Sequence, residues 1–189
     1  MRISSLSGLL TVVLSATAAL HAAGIPKVGD VAPAFTLSSL DGGQVPLADL
    51  TAKNSVILVV LRGWPGYQCP ICDRQVNDFI TAAGAFAAAR TTVVFVYPGP
   101  ADELKARAAE FKTWKGREWP KDFLYLLDPD YAFTNAYGLR WEAPKETAYP
   151  STFIIDGRGL VRFAKVSHSH GDRPKAAEIV VELQKISGP

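Results

Sequence analysis

Between Ser55 and Arg62 the chain reads Val56-Ile57-Leu58-Val59-Val60-Leu61, a run of β-branched and aliphatic residues with no polar position to turn toward water. A strand with one wet face alternates in polarity, so an unbroken run marks a strand buried on both faces. Such a strand belongs in the middle of a sheet that is covered above and below. Gly63, Pro65 and Gly66 then break it.

The remaining segments fit that frame. From Gly29 to Leu50, Pro33, Asp41-Gly42-Gly43 and Pro46 punctuate short apolar pieces such as Phe35-Thr36-Leu37, the pattern of an opening strand or hairpin. After Pro70, the residues Val76, Phe79, Ile80, Ala83 and Phe86 recur at three- and four-residue steps and predict an amphipathic helix. Thr92 to Tyr97 predicts a second buried strand ended by Pro98-Gly99-Pro100, and Ala101 to Trp114 a second helix. Phe123 to Leu127 predicts a short strand, and Asp130 to Tyr137 a short helix stopped by Gly138. Thr152 to Ile155 and Leu160 to Val166 read as adjacent strands joined by Asp156-Gly157-Arg158-Gly159, a hairpin-type turn. Lys175 to Ile186 predicts a last helix, with Ile179, Val180 and Leu183 facing inward. This order implies an α/β domain with a mixed central sheet and helices on both faces.

Composition bounds the rest. The chain has 189 residues, 48% hydrophobic and 20% charged, which fits one globular domain. The formal net charge is +2 and no basic block is long enough to follow a phosphate backbone, so no nucleic acid partner is expected. Met1-Arg2-Ile3 leads into Leu6, Leu9, Leu10, Val12, Val13 and Leu14, then into Ala16, Ala18 and Ala19, with no acid before Asp30. A basic start, an apolar stretch and a small-residue exit form the pattern of a secretory signal peptide. Residues 1–23 are therefore expected to be removed on export, leaving residues 24–189 as the periplasmic or secreted domain. Small residues at the required spacing occur in both Thr17-Ala18-Ala19 and Ala22-Ala23-Gly24. Left uncleaved, the same segment would be the one contact with a membrane.

Cys69 and Cys72 are the only cysteines, and they lie between the buried strand and its helix, in Arg62-Gly63-Trp64-Pro65-Gly66-Tyr67-Gln68-Cys69-Pro70-Ile71-Cys72. In open α/β sheets the carboxyl ends of the strands are where ligands bind. Pro70 suits the first helical position, where its missing N–H costs nothing, which puts Cys69 at the cap and Cys72 one turn on. A sulfur there faces unpaired amides and the positive end of the helix dipole, both of which favour thiolate. A disulfide over so short a loop stabilises little, which argues against a static staple. A structural zinc site would need more ligands than one cysteine pair provides. A reversible dithiol/disulfide couple is what this placement serves, with no metal and no cofactor.

With these residues in place, the chain resembles the thioredoxin superfamily, specifically the peroxiredoxin group of alkyl hydroperoxide reductases and thiol-specific antioxidant proteins. The resemblance runs from about Gly29 to the C-terminus. It is carried by Gly29-Asp30-Val31-Ala32-Pro33-Ala34-Phe35-Thr36-Leu37, by Pro65 to Cys72, and by Pro150-Ser151-Thr152-Phe153-Ile154-Ile155-Asp156-Gly157. It implies a thioredoxin-like three-layer fold and an antioxidant thiol oxidoreductase acting on hydroperoxides or disulfides, re-reduced by a thioredoxin-like protein or a small thiol.

The resemblance leaves two registers open. In the peroxiredoxin register Pro65, Cys69 and Cys72 fall on the family's proline, threonine and peroxide-attacking cysteine. In the thioredoxin register an exposed Cys69 attacks and Cys72 resolves. Pro150 stands where peroxiredoxins commonly carry an arginine, as in relatives of the TlpA and ResA type. That likeness implies a cis Tyr149–Pro150 bond beside the cysteines, and leaves Arg62, Arg74 or Arg140 to replace the missing arginine. Pro65, Tyr67 and Pro150 are the candidate substrate-binding residues, and Trp64 and Tyr67 either shape a groove or cover the site edge. Two other readings of the same pair stand beside the leading one: disulfide exchange on exported proteins, and copper handling of the SCO type, against which the two-residue spacing argues. His168-Ser169-His170 alternates as strand side chains do and offers a metal or proton-relay site, though a solvated exit loop is the preferred reading. Trp114, Trp119 and Trp141 read as packing residues.

Overall fold

The computed structural model describes residues 24–187; the expected signal peptide, residues 1–23, lies outside the described residues. The buried run becomes β3 (Ser55–Val60), with every residue from Val56 to Leu61 fully inaccessible. Around it, in chain order, lie β1 (Thr36–Ser39), β2 (Gln44–Pro46), α1 (Leu47–Thr51), α2 (Pro70–Thr81), α3 (Ala83–Ala88), β4 (Thr91–Gly99) and α4 (Ala101–Lys112). Then follow β5 (Phe123–Pro129), α5 (Ala132–Ala136), β6 (Ser151–Ile155), β7 (Val161–Val166) and α6 (Ala176–Ser187).

The strands form one sheet in the order β2-β1-β5-β4-β3-β6-β7. β3 pairs in parallel with β4, and β4 with β5, while β1 and β6 join this centre antiparallel. The sheet is therefore mixed, as expected. Because side chains alternate along a strand, β3 feeds two cores. Ile57, Val59 and Leu61 pack with residues of α2, α3, α4 and α6, whereas Val56, Leu58 and Val60 pack with residues of α1 and α5. That gives the three-layer arrangement.

Differences from the sequence expectation are local. The helix predicted through Phe86 is broken at Ala82, whose φ of −91° and ψ of 6° end α2 before α3 begins. The strand at Thr92 runs on through Pro98 and Gly99, which pair with Asp128 and Pro129 of β5. In the last helix Ile179 and Leu183 are buried, while Val180 is only partly so.

Candidate active site: a buried dithiol at the start of α2

The cysteine loop leaves β3 at the carboxyl end of the parallel strands. Gly63 makes the departure: its φ is +74°, and a Cβ there would lie 1.9 Å from the Pro98 carbonyl oxygen. Only glycine lets the loop pass so close to β4. The Trp64 N–H donates to the same carbonyl at 3.0 Å. Gln68 fixes the far end of the loop, accepting from the Tyr97 hydroxyl at 2.7 Å and donating to the Arg107 carbonyl at 2.9 Å. The residue before Cys69 is thereby held by both β4 and α4.

Cys69 is the N-cap of α2 and Pro70 its first residue. The Cys72 N–H donates to Cys69 Sγ at 3.4 Å, so the sulfur does the work of a capping oxygen. Asp73, buried in the same first turn, is paired with Arg117 and with Lys115 at 3.0 Å. Both cysteines are free thiols. The exposed Cys69 expected in the thioredoxin register is corrected: Cys69 is 3% exposed and Cys72 1%. The ties from Gln68 draw the cap inward, and both sulfurs join the core formed with Leu61, Tyr97 and Leu104.

The two thiols are driven in opposite directions. The Cys69 thiol is held down to about 5, first by the hydrogen bond from the Cys72 thiol, then by the Cys72 and Ile71 amides and the charge of Arg173, against the upward push of burial. Burial pushes the Cys72 thiol up, and its hydrogen bond to Cys69 adds to this. The arrangement favours a Cys69 thiolate beside a protonated Cys72.

The arginine at the sulfurs is one the sequence did not single out. Arg173, in the loop before α6, donates from Nη1 to Cys72 Sγ at 3.3 Å and to Gln75 Oε1 at 2.9 Å. Its Nη2 is buried without a partner. None of the three arginines considered from sequence bonds to a sulfur. Arg62 is committed to Glu146, Tyr67 and Lys145. Arg140 donates to the carbonyls of Trp141 and Thr147 and lies over the Tyr131 ring, and Arg74 is exposed on α2. A contact reaching across 101 residues leaves no spacing signal by which Arg173 could have been found.

The other candidate residues are placed as follows. Pro65 lines a cleft of about 530 Å³ with Trp64, Pro100, Tyr131, Lys145 and Thr147. Tyr67 is 43% exposed, its hydroxyl accepting from Arg62 Nη1 at 2.5 Å and its ring 5.0 Å from the guanidinium carbon. Pro150 is buried at the start of β6, next to the end of β3, where Ser151 pairs with Val60. The cis expectation is corrected: Tyr149–Pro150 is trans, as no cis peptide bond occurs among the described residues. The Tyr149 N–H donates to the Leu139 carbonyl at 2.8 Å, and the Pro150 carbonyl accepts from the Ser167 N–H at 2.9 Å. The chain runs into β6 already paired on both sides and needs no reversal there.

The solvated reading of the histidines holds for exposure, since His168 is exposed and the His170 side chain is 39% exposed, but both rings also have partners. His170 Nε2 is 2.8 Å from Glu146 Oε1, and the His168 ring meets that of Tyr149 edge-on at 4.9 Å. The tryptophans pack as expected, Trp119 on Tyr125 at 5.0 Å, Trp114 on Phe111 at 6.1 Å and Trp141 stacked on Tyr149 at 4.9 Å.

Comparison with known proteins agrees with the fold. Residues 28–164 match the AhpC/TSA family. A Mycobacterium tuberculosis protein named as a peroxiredoxin is 32% identical over 142 residues, covering 72% of this chain and 83% of that protein. The thiol peroxidase of Bacillus subtilis is 29% identical over 163 residues, 82% of this chain and 89% of that one. The crystal structure of peroxidoxin BcpB from Mycobacterium tuberculosis superposes with a TM-score of 0.68 at 23% identity, covering 85% of this chain and 98% of that chain. With its mixed sheet, its helices on both faces and its dithiol at the head of α2, the chain belongs to the AhpC/TSA family and is a peroxiredoxin-like, thiol-dependent oxidoreductase of thioredoxin fold.

Proposed function

We propose that the protein is an exported dithiol peroxidase in which Cys69 attacks a hydroperoxide and Cys72 resolves the product. The observation that carries this reading is the N-cap position of Cys69, whose sulfur accepts from the Cys72 N–H at 3.4 Å and is favoured as thiolate, while burial favours the Cys72 thiol. The Cys69 thiolate attacks one peroxide oxygen and the O–O bond breaks. The leaving alkoxide takes a proton to become an alcohol, and Cys69 is left as a sulfenic acid. The Cys72 sulfur displaces the sulfenic oxygen as water, giving the Cys69–Cys72 disulfide. Two electrons from an external thiol, either a thioredoxin-like protein or a small thiol, return the pair to the dithiol. Near-complete burial of both sulfurs favours a small hydroperoxide over a protein disulfide. Disulfide exchange on exported proteins would require the loop to open first. Export rests on residues 1–23, and the mature chain is expected to start between about Leu20 and Ile25 by the signal-peptide pattern, which N-terminal sequencing of protein from a secreting host will check.

The test is a stopped-flow comparison of hydroperoxide and insulin-disulfide reduction by the same protein, with dimedone labelling of the single mutants. Cys72→Ser is expected to accumulate a sulfenic acid on Cys69. Labelling confined to Cys69→Ser would assign the attack to Cys72 and restore the peroxiredoxin register.

A further inference from the structure

Arg173 meets α2 only through Nη1, at Cys72 Sγ and Gln75 Oε1. That arginine belongs to the segment joining β7 to α6, and a series of polar contacts runs from it to the end of β3. Arg173 Nε donates to the His170 carbonyl at 2.9 Å. His170 Nε2 meets Glu146 Oε1 at 2.8 Å, and the other Glu146 oxygen accepts from Arg62 Nε at 2.6 Å. A carboxylate only accepts, so the hydrogen between His170 and Glu146 is on Nε2. Glu146 therefore spends one oxygen on each of two segments, 84 residues away toward Arg62 and 24 residues away toward His170.

We infer that Glu146 and His170 are positioning residues, which hold the Arg173 guanidinium against Cys72 by clamping the His170 segment to the buried Arg62. The inference rests on the dithiol reading above and names the groups that keep its arginine in place. Arg62 and Glu146 have side chains only 2% and 11% exposed. A pair so buried keeps its geometry, because separating it would strand a charge away from water. Arg62 lies immediately beyond Leu61, where the cysteine loop departs. The loop that carries the sulfurs and the loop that carries the arginine are thus referenced to a single carboxylate. On the α2 side the guanidinium is held through Nη1 alone, by Gln75 Oε1 at 2.9 Å and Cys72 Sγ at 3.3 Å, while Nη2 has no acceptor.

Competing anchors exist. On α2, Gln75 Oε1 accepts from Arg173 Nη1 at 2.9 Å and Asp78 Oδ2 accepts from the Ala176 N–H at 2.7 Å. The Ser167 hydroxyl donates to the Ser169 carbonyl at 2.9 Å and contacts that of Asp172, and the Ser167 N–H reaches Pro150. The Ser167 bonds fold the segment onto itself and onto the start of β6. They do not connect it to Arg62 or to the strand end from which the cysteines are launched.

The experiment compares His170→Ala with His170→Gln in the full domain. A glutamine amide can still donate to Glu146, whereas alanine cannot. The first readout is the pH profile of thiol alkylation in the reduced protein, which needs no peroxide turnover; the second is hydroperoxide turnover at low and high pH. His170→Ala is expected to raise the alkylation midpoint by about one pH unit, about a tenfold loss of thiolate below the midpoint. Turnover should fall in step at low pH and recover at high pH. His170→Gln should stay within about twofold of the unaltered protein, a difference well below that tenfold loss. An alanine profile superimposable on that of the unaltered protein would show that Gln75, Asp78 and Ser167 suffice and overturn the inference. A glutamine variant as impaired as the alanine one would overturn it too, because the bond to Glu146 would then not be the operative feature. Absence of hydroperoxide turnover in the unaltered protein would refute the peroxidase reading alone, with the alkylation profiles still deciding the clamp.

Discussion

Replacing Arg62 by methionine isolates the buried pair that underlies the site. Methionine keeps the unbranched stem and roughly its volume, so packing changes little, while the guanidinium and its bonds to Glu146 at 2.6 Å, Tyr67 at 2.5 Å and the Lys145 carbonyl at 2.5 Å are lost. The larger effect falls on what remains: the Glu146 carboxylate, 11% exposed, keeps only His170 as a partner among the described residues. Removing one member of a buried pair costs about 3–5 kcal/mol, because the other charge stays desolvated. With a urea dependence of about 2 kcal/mol per molar for a domain of this size, the unfolding midpoint should drop by about 2 M. The second arm adds Glu146→Gln, which removes the stranded charge. The double variant is then expected to be more stable than the sum of the two single losses. Equilibrium urea unfolding under reducing conditions measures both. A loss below about 1 kcal/mol, the size of an exposed pair, would refute the argument, as would strict additivity.

Three further outcomes follow from the site. In the reduced protein, alkylation of Cys69 should titrate with a midpoint near 5 and be lost below it, and Arg173→Met should move that midpoint upward. Because folding depresses this thiol below its unfolded value, the stabilisation it contributes is complete above the unfolded pKa of about 8.5. It is lost as pH falls toward about 5. The stability gap between the dithiol protein and Cys69→Ser should therefore widen from pH 5 to pH 9 in denaturant titrations. Gly63→Ala should abolish soluble folded protein or displace the cysteine loop, its Cβ being 1.9 Å from the Pro98 carbonyl oxygen. Gly66→Ala, also at positive φ but with open space around it, should cost only about 1–3 kcal/mol of backbone strain; equal behaviour of the two would discredit the close-approach argument.

What the sequence made legible was what local pattern controls. The unbroken apolar run at Val56 to Leu61 announced a doubly buried strand, and Cys69-Pro70 announced a cap and a first helical residue, because both depend on neighbouring residues alone. Arg173, Glu146 and the pairing of His170 were not readable. Each depends on a polar contact between segments whose separation in the chain carries no period, and a buried arginine looks in sequence like a surface one. Burial of Cys69 was missed for a related reason: the cap position followed from Pro70, but its depth is set by Gln68 reaching Tyr97 and Arg107. At Pro150, analogy took the place of the local pairing that holds Tyr149 and Pro150 extended.

The alternation along β3 divides the molecule into two workshops. Ile57, Val59 and Leu61 share a core with both cysteines, whereas Val56, Leu58 and Val60 share theirs with Leu47, Phe133 and Tyr137 and with no sulfur at all. Adjacent positions on one strand therefore answer to different masters. An engineer can redesign the packing beneath α1 and α5 to raise heat tolerance and leave the surroundings of the thiols as they are, whereas a change one residue along, at Val59 for example, alters the medium in which the redox chemistry takes place.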